Sequence, residues 1–167
     1  MAVDPVLRSF KPLVDSKSRV LILGSMPGPE ALRKQQYYGF EGNHFWHIIP
    51  KILGKDRPSI YKERVKLLRD HRIALWDVLA SCRRKSALDS DIRCAEVTPI
   101  PALLKKYPNI RAVFINGKFA YNTFMKNHGD VARPVFYLPS TSPANAATSL
   151  ADKTKAWKAL LAYLDKD

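Results

Sequence analysis

The chain has 167 residues, enough for one compact domain over residues 1–167 with a core of its own and too few for two comfortable ones. A hydrophobic share of 46% argues against disorder. Lys and Arg total 28 against 15 Asp and Glu, a net charge of +13 spread along the chain rather than held in one basic tail, which points to a folded basic face for polyanions, binding them less tightly as salt rises.

Residues 1–10 lack the basic-then-apolar layout of a secretory signal, and no apolar run is long enough to span a bilayer. A soluble, cytoplasmic chain is expected, with no membrane partner. Residues 5–14 read as an amphipathic helix. Residues 19–23 (RVLIL) form a short continuous apolar run ending at Gly24, as a buried parallel strand does. The stretch 25–42 is irregular and too long for a routine connection, and such loops carry function more often than not. A helix is expected from Asn43 to about residue 53, with Phe45, Trp46, Ile49 and Leu53 on one face, and a second helix over 59–71.

Residues 73–76 (IALW) read as a second buried strand, followed by a polar loop over 77–96. Thr98 is expected to cap a helix reaching Tyr107. Residues 111–115 (RAVFI) read as a third strand, followed by Asn116-Gly117 and a helix to about 126. Residues 135–138 read as a fourth strand, and 149–164 as a closing amphipathic helix around Trp157, Leu160, Leu161 and Leu164. Strands alternating with helices imply a three-layer α/β/α fold around a central, mainly parallel four-stranded sheet. Ligands bind such sheets at the carboxyl ends of the strands. The unusual loops all begin there, after Leu23, Trp76, Ile115 and Leu138.

Each loop offers candidate groups and a plainer reading. Gly24, Ser25, Met26, Pro27 and Gly28 form a constrained turn whose amides could hold an anion or a base edge, or simply turn the chain. The segment matches no P-loop or dinucleotide fingerprint, so ATP and NAD have no support. Tyr37, Tyr38 and Phe40 cannot all enter the core, which leaves an aromatic face for base stacking. Asn43 stands where a helix begins and reads equally as an N-cap. His44 and His47, with no Cys or acidic neighbour, read as surface or packing residues. Asp77 directly follows a strand and is either a reader of a base edge or a turn cap. Ser140, Thr141, Ser142, Pro143, Ala144 and Asn145 form a small, stiff, polar loop suited to close approach to phosphates or a groove. Cys82 and Cys94 are too few for a four-thiolate site and read as free thiols; no metal is expected.

Taken together, LILGSMPG (21–28), YYGFEGNHFW (37–46), ALWDVLASC (74–82) and LPSTSPANA (138–146) resemble the uracil-DNA glycosylase superfamily and, within it, the DNA-deoxyinosine (hypoxanthine-DNA) glycosylase branch. The resemblance implies a monomeric repair enzyme that flips a deaminated base, hypoxanthine before others, out of double-stranded DNA. It would hydrolyse the N-glycosidic bond without a cofactor and without lyase action. Relatives carry a water-activating Asp or Asn just before the proline of the first loop; Met26 stands there and cannot serve, which passes the role to Asn43. By position, Tyr38 stacks on the base and Ser25, Met26 and Asp77 line its pocket. Ser140 to Asn145 contact DNA, with Ser140 in place of the His of the uracil branch and the small Ala144 where some relatives carry a bulky wedge. Neighbouring readings are a uracil or mismatch-specific glycosylase of the same superfamily and a non-catalytic nucleic-acid-binding domain. A flavodoxin-like binder fits poorly with the charge and the missing glycine fingerprint.

Overall fold

The structure, a computed structural model, describes residues 4–164; residues 1–3 of the N-terminal segment read above lie outside it. Four strands make the central sheet: β2 (Val20–Gly24), β3 (Ile73–Asp77), β6 (Ala112–Asn116) and β7 (Val135–Leu138). All neighbours run parallel, in the order β3-β2-β6-β7. The expected four-stranded parallel sheet is therefore present, with strand ends within a residue or two of those expected.

Alternation along each strand divides the interior in two. Val20, Ile22, Ile73, Leu75, Ala112 and Phe114 face one core, shared with α2 (Phe45–Ile52), Leu68 of α3 (Tyr61–Asp70), and Trp157, Leu160 and Leu164 near the C-terminus. Leu21, Leu23, Ala74, Val113 and Ile115 face the other, shared with α4 (Ile100–Lys106) and α5 (Lys118–His128). Both faces of the sheet are covered, which is why β2 and β6 read as unbroken apolar runs.

Three expectations are corrected. Residues 5–14 form no helix: β1 (Val6–Arg8) pairs antiparallel with β4 (Leu79–Arg83), and Leu13 bridges Leu75 through two backbone hydrogen bonds of 2.9 Å. Pro12 lacks the N–H a helix interior needs. The polar loop over 77–96 contains β4 and β5 (Arg93–Val97), which complete a three-stranded antiparallel sheet. Every residue of β5 is exposed, so it carries no apolar alternation to read. Thr98 does not cap α4, which starts behind Pro99; its hydroxyl donates to the Asp77 carbonyl at 2.6 Å. Smaller departures are a short helix α1 (Pro29–Lys34) inside the irregular stretch 25–42, and the division of the closing helix into α6 (Leu150–Trp157), a 3-10 turn and α7 (Leu161–Leu164). Ser149 caps α6, its Oγ accepting from the Asp152 amide at 3.1 Å. Among the described residues, no helix is long and apolar enough to cross a membrane.

Phe114 is fully buried at the middle of β6, stacked on Phe136 at 4.9 Å. Phe114→Ala leaves a cavity between sheet and helices and is expected to cost about 3–5 kcal/mol in urea unfolding; a loss below about 1 kcal/mol would place the core elsewhere.

Candidate active site

The strand register fixes the site. Gly24 pairs with Asp77 and Asn116 with Leu138, so the four chain segments leave the sheet side by side at its carboxyl edge. They enclose a cleft of about 870 Å³. All the residues singled out from the sequence line it: Ser25, Met26, Tyr38, Asn43, Asp77 and the run Ser140, Thr141, Ser142, Pro143, Ala144 and Asn145.

The first loop is tied to the second. Gly24 O accepts from the Val78 amide at 2.8 Å and Ser25 O from the Leu79 amide at 3.2 Å. A Cβ on Gly24 would lie 2.7 Å from Asp77 Oδ1 and 2.9 Å from Tyr38 Oη, so glycine is what leaves room for both polar groups over the sheet end. Met26 lines the cleft but is buried in the second core, where it packs as an apolar side chain. Arg84 reaches up from below, donating to Pro27 O at 2.7 Å.

Tyr37 and Tyr38 divide their labour. Tyr37 is buried; its hydroxyl donates to Lys11 O at 2.8 Å and its carbonyl accepts from the Trp46 indole at 2.8 Å. Tyr38 sits in the left-handed region at φ 54°, which turns its ring over the cleft. One ring face stacks on Phe45 at 4.0 Å with 16° between planes. Burial, with the nearby Asp77 carboxyl second, pushes the Tyr38 hydroxyl well up, so it stays a neutral donor and acceptor.

Asn43 lies just before α2, whose cap position is taken by His44. Its Oδ1 accepts from the Phe45 amide at 2.9 Å. The capping bond read as the plain alternative is therefore made, one residue early, and Asn43 still lines the cleft. An amide oxygen has a second lone pair, so this bond does not exhaust it.

Asn116 was missed as a site residue. It is buried, and its amide joins two loops: Oδ1 accepts from the Thr141 backbone at 3.0 Å, and Nδ2 donates to Thr141 Oγ1 at 3.0 Å and to Tyr38 Oη at 3.3 Å. Its sequence signal is the Asn-Gly pair directly after a strand, placed by the sequence between strand and helix without a role. Gly117 follows at φ 96°, where a Cβ would press on Ser140 at 3.1 Å. Thr141 is accordingly an anchor, 1% exposed, while Pro143 and Ala144 form the exposed tip. Ser140 Oγ accepts from the Ser142 amide at 3.1 Å, Ser142 Oγ from the Ala144 amide at 3.2 Å, and Asn145 Nδ2 donates to Ser140 O at 3.1 Å. Lys153, buried below, lies 3.3 Å from both Ser142 O and His44 Nδ1. Desolvation first and Lys153 second hold the His44 imidazole below its usual value.

The segment after β4 also enters the cleft, through Ala87, Leu88, Asp89 and Ser90. Asp89 Oδ1 accepts from Ser25 Oγ at 2.8 Å. Asp77 itself is 4% exposed with Oδ2 unpartnered; burial first and the Asp89 charge second push its carboxyl up to about 7. Among the described residues, no group of three or more His, Cys, Asp or Glu is placed to hold a metal ion. Cys82 is buried and Cys94 exposed, both free.

The family model described as the uracil DNA glycosylase superfamily matches residues 11–161. The chain belongs to that superfamily. Two relatives named hypoxanthine DNA glycosylase lie within reach of it. The one from Methanosarcina barkeri is 35% identical over 90% of this chain and 94% of its own length, and the one from Methanosarcina acetivorans is 33% identical over 95% and 99%. The solution NMR structure of a candidate uracil DNA glycosylase from M. acetivorans superposes with a TM-score of 0.82 at 33% identity, covering 97% of this chain and all of that one. The family expected from the four motifs, and the glycosylase fold that goes with it, are both borne out.

Gly24→Ala tests the space that Asp77 and Tyr38 share above Gly24 in this superfamily member. The added methyl must displace one of two buried polar groups. Base release under single turnover is expected to fall at least about tenfold, with duplex affinity within about twofold of wild type. Unchanged release would show that the pocket tolerates the shift.

Proposed function

We propose that this protein is a monofunctional DNA glycosylase that flips a deaminated base, hypoxanthine above all, into the cleft and hydrolyses its N-glycosidic bond with a water positioned by Asn43. The observation that carries the reading is the cleft at the carboxyl edge of the sheet, where Tyr38 and Asn43 from the long segment after β2 meet Asp77 from the end of β3. The relatives named for hypoxanthine excision support that substrate.

The glycosidic bond is inaccessible inside a duplex, so the nucleotide must be extruded at a cost of a few kcal/mol, less for a poorly paired deaminated base. The net charge of +13 favours approach to the backbone. In the cleft, the Tyr38 ring, backed by Phe45 and pinned through its hydroxyl by Asn116, offers a fixed surface for the base. Asp77 lies at the sheet end, level with Gly24, to read the base edge. The exposed tip at Pro143 and Ala144, on a loop held by its own hydroxyls, suits the phosphates or the groove. Ala144 is too small to drive a wedge into the base stack.

As the bond breaks, positive charge develops on the sugar and negative charge on the base, and fixed dipoles stabilise both. A neutral amide is a poor base, but none is required where the sugar cation largely forms before water attacks. The Asn43 oxygen need only aim the water, and the bond to the Phe45 amide holds that oxygen in place. No lysine stands in a motif for Schiff-base chemistry.

Asn43→Ala and Asn43→Asp test the assignment together. The alanine variant loses both the capping bond and the aimed water: about 1 kcal/mol of stability and ~10² or more in single-turnover release of hypoxanthine. The aspartate variant keeps the cap and retains partial release. A folded Asn43→Ala protein with near-normal release would overturn the role, and uracil released as fast as hypoxanthine would overturn the substrate.

A further inference from the structure

Asp77 is the outlier of the cleft. Its side chain is 4% exposed, and Oδ2 has no hydrogen-bond partner. An unpartnered buried acceptor is costly, and an ionised one more so. The charge that bears on it is a like one, the carboxyl of Asp89. The other groups facing it offer no cation. Gly24 on β2 has no side chain, the Tyr38 hydroxyl lies beside Asp77 Oδ1, and Tyr37 and Tyr38 are both pushed up by burial and remain neutral. Thr98 on the far side bonds only the Asp77 backbone. Glu30 and Lys118 are the remaining charged residues that line the cleft.

Asp89 is placed differently. It comes from the 3-10 turn Asp89–Asp91, a segment with no sequence motif, and it has donors. Ser25 Oγ bonds its Oδ1 at 2.8 Å, and the Arg84 guanidinium favours its charge, both opposing the burial that pushes it up. Two neighbouring carboxyls titrate as a pair. Asp89, bonded by Ser25, keeps the charge, and Asp77, with its Oδ2 buried and unpartnered, keeps the proton.

We propose that Asp77 reads the flipped base as a neutral carboxylic acid, and that Asp89 is the positioning residue that keeps the proton on it. The proposal rests on the reading of the cleft as a base pocket and names the chemistry it selects. Deamination replaces an exocyclic amine and a bare ring nitrogen by a carbonyl and a ring N–H, a lactam edge. A neutral carboxyl meets that edge with two parallel hydrogen bonds: its O–H donates to the base carbonyl, and its C=O accepts from the ring N–H. An ionised carboxylate keeps the second bond but sets its lone pairs against the base carbonyl. The ligand class is thus the lactam face of a deaminated base, N1–H and O6 in hypoxanthine.

The test is the ratio of single-turnover hypoxanthine release at about pH 6 to that at about pH 8.5, with the carboxyl carbon of Asp77 followed by NMR in the free protein. Wild type is expected to lose release about tenfold or more over that span. Asp77→Asn carries a donor and an acceptor at every pH, so its ratio is expected near one. Asp89→Asn removes the like charge and is expected to move the midpoint of both rate and NMR titration to lower pH. A flat wild-type profile, an Asp77→Asn ratio as steep as wild type, or an unmoved midpoint in Asp89→Asn would overturn the proposal. The NMR titration needs no turnover: an ordinary carboxylate midpoint for Asp77 overturns the pair even in an active enzyme. A midpoint near neutrality in a protein that releases no base upholds the pair and overturns the glycosylase reading.

Discussion

The three hydrogen bonds of the buried Asn116 amide hold the site together. They join the end of β6 to Thr141 in the last loop and to the Tyr38 hydroxyl in the first, across segments 25 and 78 residues away in sequence. A buried amide with its groups satisfied is rigid, and one cut loose is expensive. Because Asn116 is level with Leu138 in the sheet, and Gly24 with Asp77, what it fixes is the relation of the aromatic platform to the strand ends. The missing Cβ of Gly24 then leaves room for Asp77 and Tyr38 over the same strand end. Placement of the proposed base-binding groups depends on this amide and this glycine.

The catalytic roles proposed for this superfamily member rest on that frame. Asn43 is held from the other side, through the Phe45 amide and through the His44 amide, which donates to Thr141 O at 2.9 Å. Thr141 is therefore shared: Asn116 grips its hydroxyl and amide while the start of α2 grips its carbonyl. The proposed water-aiming group and the proposed base platform are referred to the same residue. That arrangement suits a reaction whose rate depends on where dipoles are fixed rather than on a strong base.

Much of this was legible in the sequence because the physical signals were strong. Doubly buried strands write themselves as apolar runs, and RVLIL and RAVFI did so. The parallel order then sends the loops to one edge. The strands of the second sheet were not legible for the opposite reason: β5 is exposed along its whole length, and Val6–Arg8 is too short to show a period. Thr98 carried a cap signal but spends its hydroxyl on the Asp77 carbonyl. Asn116 and Asp89 matter through tertiary contacts alone, one through a turn pair that many loops share and the other through a polar segment with no pattern. Thr141 was read as a groove contact, and the structure buries it as an anchor.

The most direct test of the account is product analysis on a duplex carrying a single deoxyinosine. Protein and duplex are incubated together, the small molecules are identified by mass, and the strand is sized before and after alkali. Free hypoxanthine with a strand that stays whole until alkali breaks it at the modified position is the predicted result. Release of no base, or a strand already cut at that position without alkali, would contradict it.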